Sequence, residues 1–238
     1  STVKKITVLL TAIVIFAGTA VSSEGKNIPS ETVKTASGVI QVYRLKNGIP
    51  VYYRESRESS TSAFYIGVKG GVTYLKPEQS GLEDALFTMM HTSSAHYSYN
   101  ERVKLAFTTQ SNIGSYSIHE GSALTLSYLN YYAEKMLPVL LDGFTEPVYG
   151  DKEYADLMRS LKQQLQNEKN DPSSILMKTA ARAVYKNHPY ETSTDVTEDS
   201  IALITKENME SLHRQILDSR RIFVAVAGNT DIDFVLSR

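Results

Sequence analysis

The residues able to carry chemistry in this chain are few and scattered. Its five histidines are His91, His96, His119, His188 and His213, and it has no cysteine. The lack of thiols excludes disulfides, thiolate metal sites and cysteine nucleophiles. His91 and His96 lie five positions apart, which matches neither one-turn spacing that puts two ligands on one helix face. His119 and Glu120 would complete a metal cluster with them only where the fold brings these segments together. His188 precedes a proline in a turn and reads as structural, while His213 sits among charges on a helix and reads as exposed. Serines are plentiful, yet none stands in a G-x-S-x-G elbow. Gly70-Gly71 is followed by no G-K-[ST], so it is no phosphate loop. Among the tyrosines, Tyr52, Tyr65, Tyr116 and Tyr128 fall at strand positions where the ring simply packs.

The stretch that organises these residues is Gly81 to Ser94, G-L-E-D-A-L-F-T-M-M-H-T-S-S. Leu82, Ala85, Leu86, Met89 and Met90 recur at helical spacing, which predicts an amphipathic helix over residues 81–91. Asp84 falls in its first turn, where the helix dipole favours a capping or solvated carboxylate.

Upstream, alternation predicts strands over residues 39–45 and 49–54, joined by the Lys46-Asn47-Gly48 turn, and over residues 63–69, ended by Gly70-Gly71. Downstream come a helix over residues 99–108 and two strands between Ser111 and Tyr128, broken at Glu120-Gly121. Apolar periodicity then predicts helices over residues 131–144, 151–170, 172–184 and 205–217, with Asp171-Pro172 and Thr205 as starts. A last strand at residues 221–227 must rejoin the sheet, and the segment from Asp231 reads as a helix cut short. Strands, then helices, then a strand describe an α+β fold: a two-layer sandwich, its mixed, mostly antiparallel sheet covered by helices on one face.

Lys4 and Lys5, the apolar run 6–17 and the small residues that follow predict a signal peptide over residues 1–22 and an exported protein, periplasmic or extracellular. Residues 23–37 are polar and read as a flexible leader without a core of its own. Residues 38–238 then form one α+β domain. Lys and Arg total 25 against 26 acidic residues, so the net charge of -1 gives no reason to expect nucleic acid or an anionic membrane as partner.

Four segments, in order, resemble one family: L-K-N-G-I-P-V-Y-Y at Leu45 to Tyr53, V-K-G-G at Val68 to Gly71, N-H-P-Y at Asn187 to Tyr190, and V-A-V-A-G-N-T-D at Val224 to Asp231. Together with E-P-V-Y at Glu146 to Tyr149, they resemble the inverzincin peptidases of family M16, which include pitrilysin, insulin-degrading enzyme and the mitochondrial processing peptidase. The resemblance implies the same α+β fold and a zinc site on the first helix. There His-x-x-Glu-His supplies two ligands and a base, and a later glutamate supplies the third ligand. Counted from Gly81, those positions hold Asp84, Phe87 and Thr88, and the later one holds Gln164. No cofactor, zinc included, is therefore expected.

The family also adds an unfolded peptide as a strand beside the metal. The matching edge here is Ser111, Asn112, Ile113, Gly114, Ser115 and Tyr116, and that mode needs backbone groups rather than catalytic ones. The opposing reading is an edge that is covered or paired. Two functions are thus expected: a non-catalytic module of the cell envelope, serving as partner subunit or peptide-binding scaffold beside a second domain of the same kind, or a zinc endopeptidase working through a rearranged site or a complete partner domain.

Overall fold

The computed structural model describes residues 27–237 except 37 and 219, and the basic, apolar N-terminal run lies outside the described residues. The chain begins with three strands in sequence, β1 (Glu31–Thr35), β2 (Gly38–Arg44) and β3 (Pro50–Glu55). Asn47-Gly48 turns β2 into β3 because Gly48 takes φ 86, open to a residue without Cβ, while Leu45 N–H reaches the Ile49 carbonyl at 2.9 Å. β1 lies where the sequence predicted a leader without structure. It pairs with β2 from Glu31↔Val42 to Thr35↔Gly38, yet all its residues are exposed. Backbone hydrogen bonds hold it there, and these leave no mark in an apolar pattern.

β4 (Thr61–Lys69), β5 (Asn112–Ile118), β6 (Gly121–Leu129) and β7 (Ile222–Gly228) complete a sheet of order β1-β2-β3-β7-β4-β6-β5. The last strand enters the middle, parallel to β3 and antiparallel to β4. Period-two burial is clear on the central strands: Val51 and Tyr53, Phe64, Ile66 and Val68, Leu124, Leu126 and Tyr128, and Val224 and Val226 all face one core. The opposite face carries half-buried rings, with Tyr52 edge-on to Phe223 at 6.2 Å.

Seven helices are described: α1 (Leu82–Thr92), α2 (Tyr99–Thr109), α3 (Ala133–Thr145), α4 (Asp151–Lys169), α5 (Pro172–Val184), α6 (Lys206–Leu217) and the short α7 (Ile232–Leu236). Their starts follow local chemistry. Ser98 and Glu101 form a capping box on α2, the Asp171 carboxylate accepts from Ser173 and Ser174 N–H on α5, and the Thr205 hydroxyl accepts from Asn208 N–H on α6. α1 lies in the middle of the helical layer. It touches β5 and β6 on the sheet and α3, α4 and α6 among the helices.

The start of α1 is set by Gly81, at φ 78, where a Cβ would come within 2.6 Å of the Val196 backbone. Both the left-handed backbone and the close approach demand glycine. Gly81→Ala is therefore expected to destabilise the fold by about 1–3 kcal/mol, read as a lower thermal midpoint. An unchanged midpoint would show that the helix start is not held against Val196.

Candidate functional site

Seven of the eleven residues of α1 are buried, among them Leu82, Leu86, Phe87 and Met90. At 100° per residue this leaves one narrow strip, Asp84, Thr88 and His91, on a common face. The strip lies along β5. Asp84 is hydrogen-bonded to the Ser117 side chain, and His91 Nδ1 lies 3.1 Å from Ser115 Oγ. β5 thus turns Ser115 and Ser117 towards the helices, while Tyr116 and Ile118 point to solvent.

Burial raises the Asp84 pKa, the Ser117 hydrogen bond opposes that rise, and the Asp195 carboxylate adds to it. The sequence expected a capping or solvated carboxylate here, and the structure instead half-buries it against β5. Burial likewise holds the His91 imidazole below its ordinary pKa, against a hydrogen bond to the Phe87 backbone.

The other positions implied for zinc chemistry are filled as follows. Phe87 is fully buried in the core. Thr88 is half-buried, and its carbonyl accepts from the Thr92 hydroxyl at 2.6 Å. Gln164, on α4, donates through Nε2 to Glu168 Oε1 at 3.2 Å. A phenyl ring, a hydroxyl, an amide and one half-buried carboxylate are not a zinc donor set, so the residues present do not fit the metal.

His91, His96, His119 and Glu120 do not converge. His119 stacks on Tyr190 at 4.6 Å, and the Tyr190 hydroxyl donates to Glu120. His96 joins Asp142 and Glu146, the one group of three possible metal ligands among the described residues. Within it, Asp142 and His96 satisfy each other without an ion. The Asp142 carboxylate accepts from Ser94 Oγ and His96 N–H and pairs with His96 Nδ1 at 2.7 Å. Behind it the guanidinium of buried Arg102 donates to Ser94 Oγ at 2.5 Å, an arrangement that opposes a second cation. His213, expected to be exposed, is buried, with Nε2 2.7 Å from the Phe144 carbonyl.

The sequence reading missed Glu83, which looks like a surface acid in the first turn of α1. It is fully buried, with Ser122 Oγ donating to Oε1 at 2.6 Å and Oε2 without a partner. Burial raises its pKa, while the Ser122 hydrogen bond and the Arg221 charge pull the other way. No local pattern could have marked Glu83, since its burial depends on where β6 falls.

The candidate peptide edge is present. β5 is the last strand of the sheet, paired with β6 alone from Asn112↔Ser127 to Ile118↔Gly121. Asn112, Ile113, Gly114, Ser115 and Tyr116 lie in this strand, with Ile113 packed against the core. Ser111 falls just before it, where its N–H bonds the Ala106 carbonyl.

Fold and site define an α+β domain whose central helix lies beneath an edge strand and carries no metal donor set. The sequence pattern of the insulinase family (peptidase family M16) matches residues 51–198. The chain belongs to that family. An uncharacterized zinc protease of Rickettsia felis is 20% identical over 82% of this chain and 48% of its own length. A probable mitochondrial-processing peptidase subunit alpha-1 of Arabidopsis thaliana is 20% identical over 86% of this chain and 41% of its own. Among solved structures, a peptidase M16 inactive domain from Pseudomonas fluorescens and a protease from Helicobacter pylori each superpose with a TM-score of 0.76. Each is 16% identical and covers 83% of this chain and 48% of that protein. This chain therefore spans less than half the length of the relatives it matches, while reproducing their fold.

Two outcomes test the helix face. Phe87→Glu, which restores the family's base at its own position, is expected to cost about 3–5 kcal/mol by placing a carboxylate in the core. A variant with the wild-type melting temperature would show that this face is open. For Glu83 the folded pKa is raised, so the folded state binds more protons than the unfolded one and stability falls as pH rises through and above the ordinary carboxylate range. Glu83→Gln should thus melt higher than wild type at pH 8, with the gain shrinking towards pH 4. A loss of stability at pH 8 that disappears in acid would mean that the carboxylate is ionised and well paired.

Proposed function

We propose that this chain is a non-catalytic M16 module of the cell envelope, a partner subunit or peptide-binding scaffold that offers the β5 edge to an extended segment. The observation that carries the reading is the content of α1: Phe87 belongs to the core and Asp84 is engaged with β5, so the helix keeps its structural role without a hydrolytic one. Gln164 on α4 repeats the substitution at a separate element, which argues against a local shift of register. A protein of the same fold from Pseudomonas fluorescens is described as an inactive domain, and the likeness supports the reading at the level of the fold.

Strand addition draws its affinity from main-chain hydrogen bonds, and the outer side of β5 meets no strand among the described residues. Export is inferred from the basic, apolar and small-residue run at the N-terminus. Among the described residues no helix is long and apolar enough to cross a membrane. The relatives carry about as much chain again, which supports association with a second such domain.

The purified protein is expected to hold no stoichiometric zinc by elemental analysis and to leave an unfolded peptide intact. It should bind such a peptide, and alternate N-methylation of that peptide should weaken binding by roughly tenfold or more through loss of backbone donors. Stoichiometric zinc with chelator-sensitive cleavage would overturn the reading in favour of an active endopeptidase. Equal affinity for the N-methylated peptide would remove strand addition.

A further inference from the structure

The first turn of α1 is joined to the edge of the sheet by a closed relay of hydrogen bonds. Ser122 Oγ, on β6, lies 2.6 Å from Glu83 Oε1 and 2.9 Å from Ser117 Oγ, on β5. Ser117 in turn is hydrogen-bonded to the Asp84 carboxyl. Ser117 and Ser122 are partners across the β5–β6 pair, so the relay leaves α1 at Glu83, crosses both strands and returns to α1 at Asp84. Glu83 and Ser122 are both buried, which shuts bulk water out of that end.

The relay has three links, Glu83–Ser122, Ser122–Ser117 and Ser117–Asp84. Each hydroxyl has one hydrogen to donate, and an ionised carboxylate only accepts. The two serines therefore fill two links, and the hydrogen of the third must come from a carboxyl group. It sits on Glu83, with Ser122 and Ser117 donating in turn towards Asp84, or on Asp84, with the same hydroxyls donating in reverse. A shift of hydrogens along the relay interconverts these forms, so the proton belongs to the pair. The surrounding charges act in the same sense at Asp84, which the Asp195 carboxylate disfavours as an anion, and they divide at Glu83, where Asp84 does the same and Arg221 opposes it. Glu83 Oε2 has no partner, which costs less on a neutral carboxyl than on a carboxylate.

We propose that Glu83 and Asp84 hold one shared proton through Ser122 and Ser117, and that this proton fastens the edge strand β5 to α1. Its loss leaves two oxygens facing each other without a hydrogen, and α1 loses one tie to the strand pair. The folded state binds this proton more tightly than the unfolded chain does. The tie is thus complete through the ordinary carboxylate range near pH 4 and is lost as pH rises through the raised titration of the pair. The consequence for peptide rests on the reading of β5 as a binding edge: an extended segment binds more tightly below that titration than above it.

Carbon-13 NMR of the side-chain carboxyls in the full chain tests the assignment. The Glu83 and Asp84 resonances should move together in one step above the ordinary carboxylate range of about 4. Past that step, the β5 amides bonded to β6 should exchange roughly tenfold faster than the intrinsic pH dependence accounts for. Glu83→Gln supplies the third hydrogen from its amide, so it should keep β5 protected on both sides of the step. Ser117→Ala breaks the relay and should leave the two carboxyls titrating independently. Independent titration in the wild type, or β5 exchange unchanged across a shared step, overturns the proposal. So does a Glu83→Gln variant that keeps the wild-type pH dependence of exchange. A lysine-flanked Thr-Val repeat peptide, which favours extended backbone, serves as the probe of the edge, and equal affinity on both sides of the step also overturns the proposal. A shared step with pH-dependent exchange, and no peptide bound at any pH, overturns the functional reading alone.

Discussion

The burial of α1 between the sheet and three other helices is the constraint on which the remaining structure depends. A helix covered over most of its circumference has no freedom to rotate, because any turn would carry Leu86, Phe87 or Met90 towards solvent and Asp84 towards the core. Gly81 fixes where that helix begins, through the close approach of Val196, and so fixes which three side chains reach β5. The chemistry of the domain is decided by this rotation. The strip left for polar residues is narrow, and its side chains are spent on holding β5 in place.

The polar groups inside the protein follow the same logic. Glu83 is tied to β6 through Ser122, Arg102 reaches Ser94 and through it Asp142, and His213 reaches the Phe144 carbonyl. Each joins elements distant in sequence, and each would leave a costly orphan if its partner shifted. They make the packing of α1, α2, α3 and α6 specific, where apolar contact alone would tolerate several arrangements. The fold of a peptidase family is thus kept by contacts that owe nothing to its metal.

Much of the fold was legible because it is local. Asn47-Gly48 specifies its turn, Asp171-Pro172 and Thr205 specify helix starts, and alternation along β3, β4, β6 and β7 specifies strands whose inner residues do face the core. The resemblance likewise pointed to Asp84, Phe87, Thr88 and Gln164, since counting from Gly81 and Pro172 needs only residue identity. The misses share a physical cause. β1 has no apolar pattern, because main-chain pairing with β2 holds it. His213 sits among charged neighbours in sequence but under α3 in space. α5 has the apolar periodicity of a core helix and buries none of it.

By itself, the sequence determined most of the elements and their order, for these rest on propensity, period and residue type within a few positions. Only the tertiary structure decided that Phe87 is core while Asp84 meets Ser117, that Glu83 is buried with one oxygen unpaired, and that the apolar stripe of α5 faces outward. Those outcomes depend on which distant segment arrives against each side chain. Burial is a property of that meeting and is not carried by any residue alone.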